Sequence, residues 1–314
     1  MEADMSAISR RGFFKASAAN AAALGLLSTA KWDLEANPLG LPIGSQTYPH
    51  KQRIADGDFA GLCSDMKSIG VGQLELCSPI GYKDFAKLSD GKETKKILAD
   101  HGLRSISAHF GMKELRETHQ QSIDWAKEVG MTQMGTASLG GHLTDGVASM
   151  DVIKKAADEY NKIAEEAAKN GIQQFLHDEG FEMAKAEDGK LVYEHLFELL
   201  DPKLVKFQFQ MSAMRTVGDP ITWFNNNPGR FISMHLQGVD VNAPMPDPGA
   251  RRGAGQGRGQ GRGGRAPQMA VGHDTLNWPK IFAAAKKGGI KNYFVEQSWD
   301  LTQQSVAYLK TLKV

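Results

Sequence analysis

Cysteine is scarce in this chain, with two among 314 residues. That excludes a scaffold built on disulfides. Cys63 falls in the helical pattern Phe59, Leu62, Cys63, Met66 and reads as a small buried hydrophobe, and Cys77 ends a strand. Neither sign of charge prevails: 37 Lys and Arg stand against 36 Asp and Glu. Long apolar runs are missing too. The longest candidate, from Ala16 to Leu27, is too short and too rich in Ala to span a membrane. No Gly-rich phosphate turn follows the first strand, where Gln46-Thr47-Tyr48-Pro49-His50 stands instead, which argues against a doubly wound nucleotide-binding sheet. What remains is ordinary globular composition, 41% hydrophobic and 23% charged.

The first 30 residues read separately from the rest. Ser9-Arg10-Arg11-Gly12-Phe13-Phe14-Lys15, the Ala/Leu run and Ser28-Thr29-Ala30 together form a twin-arginine export signal with a small-x-small cleavage site. The expected partner is the twin-arginine export machinery, and the expected location is the periplasm or the medium. Residues 31–40 read as a linker, with no membrane span in the mature form. Three bases and two acids fall in the signal, leaving 34 of each beyond it. That balance hides an asymmetry. Residues 248–267 hold five Arg and no acid, so the remainder stands at −5. A net acidic body is a poor match for a phosphate backbone, and no nucleic-acid partner is expected.

From Leu41 onward, strand and helix patterns alternate. The strand candidates are 43–48, 72–77, 104–109, 132–137, 172–177, 205–210, 231–236 and 292–296. The helical patterns are 59–68, 92–101, 113–129, 151–169, 191–199, 219–225, 278–286 and 301–312. Near-continuous apolar strands, each followed by a helix, mean a parallel sheet covered by helices. Eight such units in residues 41–314 predict a single-domain α/β chain closed as a (β/α)₈ barrel. Gly70, Gly102, Gly130, Gly171 and Gly289 each follow a helix and precede a strand, as left-handed C-caps do. Residues 244–270 interrupt the loop after the seventh strand. This Arg/Gly-rich, low-complexity insertion lacks the apolar residues needed to order itself and reads as disordered.

Four polar residues close successive apolar runs: His177 in GIQQFLH, Gln210 in LVKFQFQ, His235 in RFISMH and Glu296 in KNYFVE. In a barrel, strand ends converge on the axis, so these distant positions become neighbours. Two imidazoles, a carboxylate and an amide oxygen suit one divalent Mn, Co, Zn or Fe ion and suit Ca poorly. A single histidine of this kind is more often a hydrogen-bonded core residue. Four in register are harder to explain that way, and a buried Glu needs a compensating charge. Gln46 and Tyr48 close the first strand and read as pocket-lining. Trp299 can stack on a sugar ring or simply pack its loop. His273 reads as a solvated loop residue.

The stretches DPKLVKF, NPGRFISMHLQ, NWPKIFAAAKKGGIKNYFVEQ and Gly171–Met183 resemble the sugar phosphate isomerase/epimerase family, the xylose-isomerase-like TIM barrels, over most of Leu41–Val314. One branch carries Tyr-His-Asn-His-x-Phe-Glu-Phe where this chain has Leu176-His177-Asp178-Glu179-Gly180-Phe181-Glu182-Met183. The resemblance implies a metal held by Glu, Asp, His and Glu. Matched one by one, these positions are His177, Gln210, His235 and Glu296. Two are kept and two changed, so an epimerisation shared between two carboxylates is in doubt. The resemblance also implies Glu75 as a group that binds substrate or braces a neighbour, where the plain alternative is an ion-pair member inside the barrel; it implies His109 as a group near the substrate, and it puts Gln237 where a Lys is frequent. The implied function is a metal-dependent carbohydrate isomerase or epimerase acting by proton abstraction next to a carbonyl. Glu296, His109 and Glu179 are the acid–base candidates, and Gln46, Tyr48, Glu75 and Trp299 are the substrate-binding ones. The alternatives are a lyase or hydratase on keto-sugars or keto-glycosides, and a non-catalytic sugar-binding barrel.

Overall fold

The computed structural model describes residues 37–244 and 268–314. The expected export signal, most of the expected linker and residues 245–267 of the insertion lie outside the described residues. Eight parallel strands close into a barrel: β1 (Gly44–Gln46), β2 (Gln73–Cys77), β3 (Arg104–His109), β4 (Gln133–Thr136), β5 (Gln173–His177), β6 (Val205–Gln210), β7 (Phe231–Leu236) and β8 (Asn292–Val295). Each pairs with its neighbours in chain order, and β1 pairs with β8 to close the ring. The (β/α)₈ expectation holds.

Barrel closure requires alternate residues to point inward, and the inward layers are filled by size matching. A Cβ on Gly135 would stand 2.1 Å from the Phe175 ring, and one on Gly44 2.5 Å from the Phe294 ring. Glycine on one strand therefore makes room for a phenyl group on a neighbouring strand. On β6 the alternation is visible in sequence: Gln208 and Gln210 share one face, Phe207 and Phe209 the other. The outward phenyls join Phe197, Trp223, Phe224 and Phe231 in an aromatic cluster beneath the helices, with ring centroids about 5–6 Å apart.

The helix Met150–Lys169 shows how the outer layer holds the strands. Ser149 caps it by accepting from the Val152 N–H at 3.4 Å. Ile153, Ala157, Tyr160, Ile163, Ala164 and Ala167 recur every three or four residues and are buried. Each full-sized apolar side chain buried this way contributes roughly 1.5–3 kcal/mol. Tyr160 also donates its hydroxyl to the Phe175 carbonyl and accepts from Gln174 Nε2 at 2.9 Å, tying the helix to β5 two residues below His177.

Three details differ from the sequence reading. The pattern at 113–129 is two helices, Met112–Glu117 and His119–Val129, broken at Thr118 (φ −136°, ψ 31°). The Glu114 carboxylate caps the first helix and ties it to the second, accepting from the Gly111 N–H at 2.5 Å, Ser78 Oγ at 2.6 Å and Ser122 Oγ at 3.3 Å. A short helix, Lys51–Asp56, and a 3₁₀ turn, Lys83–Leu88, fill loops that the periodicity had left open. Val147–Ala148 and Lys185–Ala186 pair as a two-stranded ribbon in the loops after β4 and β5. Gly70 (φ 101°) and Gly130 (φ 97°) are the expected left-handed caps. Both cysteines are buried and unbridged. Among the described residues, no helix is long and apolar enough to cross a membrane.

Candidate metal and acid–base site

The ends of β2, β3, β5, β6, β7 and β8 bring Glu75, His109, His177, Gln210, His235 and Glu296 together. His177 and His235 have ring centroids 4.6 Å apart, and His109 lies 5.2 and 5.3 Å from them. The three histidines offer ligand atoms within 4.8 Å of one another, a grouping able to hold a metal. Glu296 closes the group. Its Oε2 is 3.5 Å from His235 Nδ1 and accepts from Gln210 Nε2 at 2.8 Å and Gln237 Nε2 at 2.6 Å.

Two layers can be distinguished. In the lower one, Glu75 is wholly buried and every contact is made. Its Oε1 accepts from Ser107 Oγ at 2.8 Å and Gln208 Nε2 at 2.9 Å, and its Oε2 accepts from His235 Nε2. Gln208 also donates to Ser233 Oγ at 2.9 Å, and its Oε1 lies 2.8 Å from His109 Nε2. In the upper layer, four buried atoms have no hydrogen-bond partner: His177 Nδ1, His235 Nδ1, Gln210 Oε1 and Gln237 Oε1. At 3.5 Å, His235 Nδ1 and Glu296 form an ion pair rather than a well-made hydrogen bond. Buried polar atoms are normally satisfied. Four unpaired ones beside a carboxylate fit a bound cation. With a metal present, the unpaired nitrogens of His177 and His235, the Gln210 amide oxygen and the Glu296 carboxylate would hold it. His109 is less available, because Gln208 engages its Nε2.

The electrostatics follow from this packing. Burial alone would depress His235, but Glu75 on one side and Glu296 on the other push it up to about 10. Burial opposes ionisation of Glu296, yet the adjoining His235 imidazolium, then His177 and Gln210, bring it down to about 2. Burial likewise opposes Glu75, and the charges of His235 and His109 hold it well below the carboxylate range. His177 goes the other way. Burial first, then its two histidine neighbours, hold it well below 6.5, so its ring stays neutral. With no metal, the His235 imidazolium is therefore the cation between two carboxylates.

The remaining sequence candidates are placed as follows. Gln46 tops β1, but its amide is committed: Nε2 donates to Cys77 Sγ at 3.6 Å, and Oε1 accepts from the Tyr48 N–H. Tyr48 is 41% exposed and meets Tyr82 edge-on at 6.3 Å. Trp299 packs edge-on against His50 at 6.2 Å. Glu179 lies in the partly exposed loop after β5, its N–H donating to the Ala137 carbonyl at 3.2 Å. His273 lies in the loop before Trp278–Gly288. Sequence reasoning missed Gln208, although its alternation with phenylalanine was a usable signal. It also missed Asp178, whose Oδ1 accepts from the Gln210 N–H at 2.8 Å and fixes the top of β6 to β5. Burial pushes Asp178 well above its usual range. Glu182, quoted only within a motif, is buried, accepts from the Leu139 N–H at 2.8 Å and is pushed up by burial to about 8.

No known family profile matches this sequence, and no curated protein sequence does. Solved structures do match. A sugar phosphate isomerase/epimerase from Parabacteroides distasonis superimposes with a TM-score of 0.65 at 22% identity, covering 86% of this chain and 94% of that one. The probable 3-DHS dehydratase AsbF from Bacillus anthracis gives 0.63 at 11% identity, covering 87% and 100%. A xylose-isomerase-like TIM barrel protein from Mycobacterium smegmatis in complex with magnesium gives 0.58 at 15% identity, covering 86% and 95%. At these identities the likeness shows the fold alone, a (β/α)₈ barrel.

Proposed function

We propose that this chain is a divalent-metal-dependent enzyme that abstracts a proton next to a carbonyl of an uncharged carbohydrate, as an isomerase or epimerase. The observation that carries the reading is the set of unpaired buried atoms on His177, Gln210, His235 and Gln237 around the Glu296 carboxylate. Bound there, a metal of the Zn, Co, Fe or Mn kind supplies a Lewis acid for the carbonyl. Glu296, the ionised carboxylate of the upper layer, takes the proton from carbon. Gln210 and Gln237 orient it by donating to Oε2. His177, held neutral, and His109 beneath it are the groups available to return or relay a proton. The side chains gathered at the strand ends include no Lys or Arg, which favours a neutral sugar over a phosphorylated one.

A second reading has its own support. His177 stands where the family resemblance places a second carboxylate, so Glu296 is the one acid of the upper layer. Elimination from a keto-sugar needs a single strong base beside a carbonyl, and that favours a lyase or hydratase. One experiment tests both. The protein is loaded with Zn, Co or Mn and incubated with aldoses, ketoses and keto-glycosides in deuterated water. Deuterium appearing at carbon with the skeleton retained supports the isomerase, and loss of water or aglycone supports the lyase. No metal uptake and no exchange on any substrate leave a non-catalytic sugar-binding barrel. Export to the periplasm by the twin-arginine route is part of the proposal and rests on Ser9–Lys15. Fusing residues 1–30 to a reporter that matures only after folded export tests it.

A further inference from the structure

Glu75 is the most enclosed charge in the barrel, yet it does not face the mouth. It has no exposure, and its two oxygens are occupied by Ser107 Oγ and Gln208 Nε2 on one side and His235 Nε2 on the other. His109 Nε2 is a further 3.3 Å contact on the second oxygen. A carboxylate accepting from Ser107 and Gln208 is held in its ionised, accept-only form. The hydrogen between it and His235 therefore sits on Nε2. The other nitrogen, Nδ1, faces Glu296 at 3.5 Å and has no hydrogen-bond partner.

Gln208 extends the same control to a second ring. Both hydrogens of its Nε2 are spent, one on Glu75 Oε1 and one on Ser233 Oγ, each at 2.9 Å. That fixes which way the amide is turned, so its carbonyl oxygen is the atom 2.8 Å from His109 Nε2. A carbonyl only accepts, so His109 also carries its hydrogen on Nε2.

We infer that Glu75 is the positioning residue of this site: it keeps a hydrogen on Nε2 of His235 directly and on Nε2 of His109 through Gln208, so that Nδ1 of each ring is the nitrogen left to give a lone pair to a metal, His235 first releasing the Nδ1 proton that it carries as an imidazolium. Histidines that bind metals commonly donate their second N–H to a carboxylate, which fixes the ring and raises its donor strength. Glu75 is suited to that role and touches neither metal nor substrate. The metal part of the inference rests on the function proposed above, and the tautomer part does not.

Two measurements test it. Nitrogen NMR of the full-length, metal-free protein with ¹⁵N-labelled histidine reads the protonation of each ring nitrogen. Protonated Nε2 on both His109 and His235 is expected, and an unprotonated, pyridine-type Nε2 on either overturns the inference. Zn²⁺ and Co²⁺ affinity is then measured against a competing chromophoric chelator. In Glu75→Gln the new amide can donate to His235 Nε2 and drive its hydrogen to Nδ1, so affinity should fall about 10–100-fold. Ser107→Ala, which leaves the carboxylate in place, should lose far less. A folded Glu75→Gln protein with wild-type affinity overturns the inference. If Glu75→Gln does not fold, the wild-type NMR measurement decides. If wild-type protein takes up neither metal, the proposed function fails, and the same NMR measurement still decides the tautomers.

Discussion

The lower and upper layers of the barrel mouth are built from the same residue types and differ in how completely they are satisfied. Below, Glu75, Ser107, Gln208, Ser233 and the Nε2 atoms of His109 and His235 form a closed set of hydrogen bonds. Above, His177, Gln210, Gln237 and Nδ1 of His235 each carry a buried polar atom without a partner. One imidazole, His235, belongs to both layers, with one nitrogen in each. A buried polar network is costly when partly satisfied and holds a geometry when fully satisfied. The lower layer is therefore a brace, and the upper layer is left open for something to bind.

Removing the charge from the open layer should have the largest effect. Glu296→Gln keeps the shape and should slow substrate C–H exchange about 10³-fold. Unaltered exchange would place the base elsewhere. Next comes the brace itself. Gln208→Leu leaves Ser233, His109 and one oxygen of Glu75 short of a partner, and should cost about 3 kcal/mol in urea unfolding. A loss below about 1 kcal/mol would mean that the lower layer is not the stabilising one. Filling the open layer should add stability. Zn²⁺ or Co²⁺ at a hundred times its Kd should stabilise the fold by about 2.7 kcal/mol, and by much less in His235→Ala.

Glu182 sharpens the comparison, because it is buried like the brace yet leaves Oε2 unpaired like the open layer. Its folded value of about 8 lies above the ordinary 4.5. Between these values the folded chain keeps a proton that the unfolded chain has released, so stability falls as pH rises from about 4.5 to 8 and then levels. Glu182→Gln, which can still accept from Leu139, should be more stable than wild type at pH 9 and equal to it near pH 4. The smallest effect is expected for Gln237→Leu. It removes one donor to Glu296 and one unpaired oxygen together, and should shift stability by less than about 1 kcal/mol. A cost as large as that of Gln208→Leu would erase the distinction between the layers.

Much of this was legible before any coordinates. Near-continuous apolar runs located all eight strands, and their last polar residues located the site, because a barrel forces strand ends together. The strand limits erred by one or two residues, as at β1, expected to reach Tyr48 and ending at Gln46. The contacts within the site were not legible. Glu75 and His235 are 160 positions apart. Their heights depend on register shifts between Leu74 and Glu75 and between Phe207 and Gln208, which no local pattern encodes. The division of labour within His235, one nitrogen for the brace and one for the open layer, has the same origin.

Phe175 and Phe294 lie two residues below His177 and Glu296 on the inward faces of their strands, each ring seated against a glycine of the neighbouring strand. The His109 ring meets Phe175 at 5.7 Å, and the His235 ring meets Phe294 at 6.3 Å. The imidazoles therefore rest on an oily floor, two phenyl groups that offer them no hydrogen-bond acceptor from below. If Glu296 takes a proton from carbon as proposed, the phenyl floor gives that proton no way down, so it must pass on through the polar side chains beside and above it.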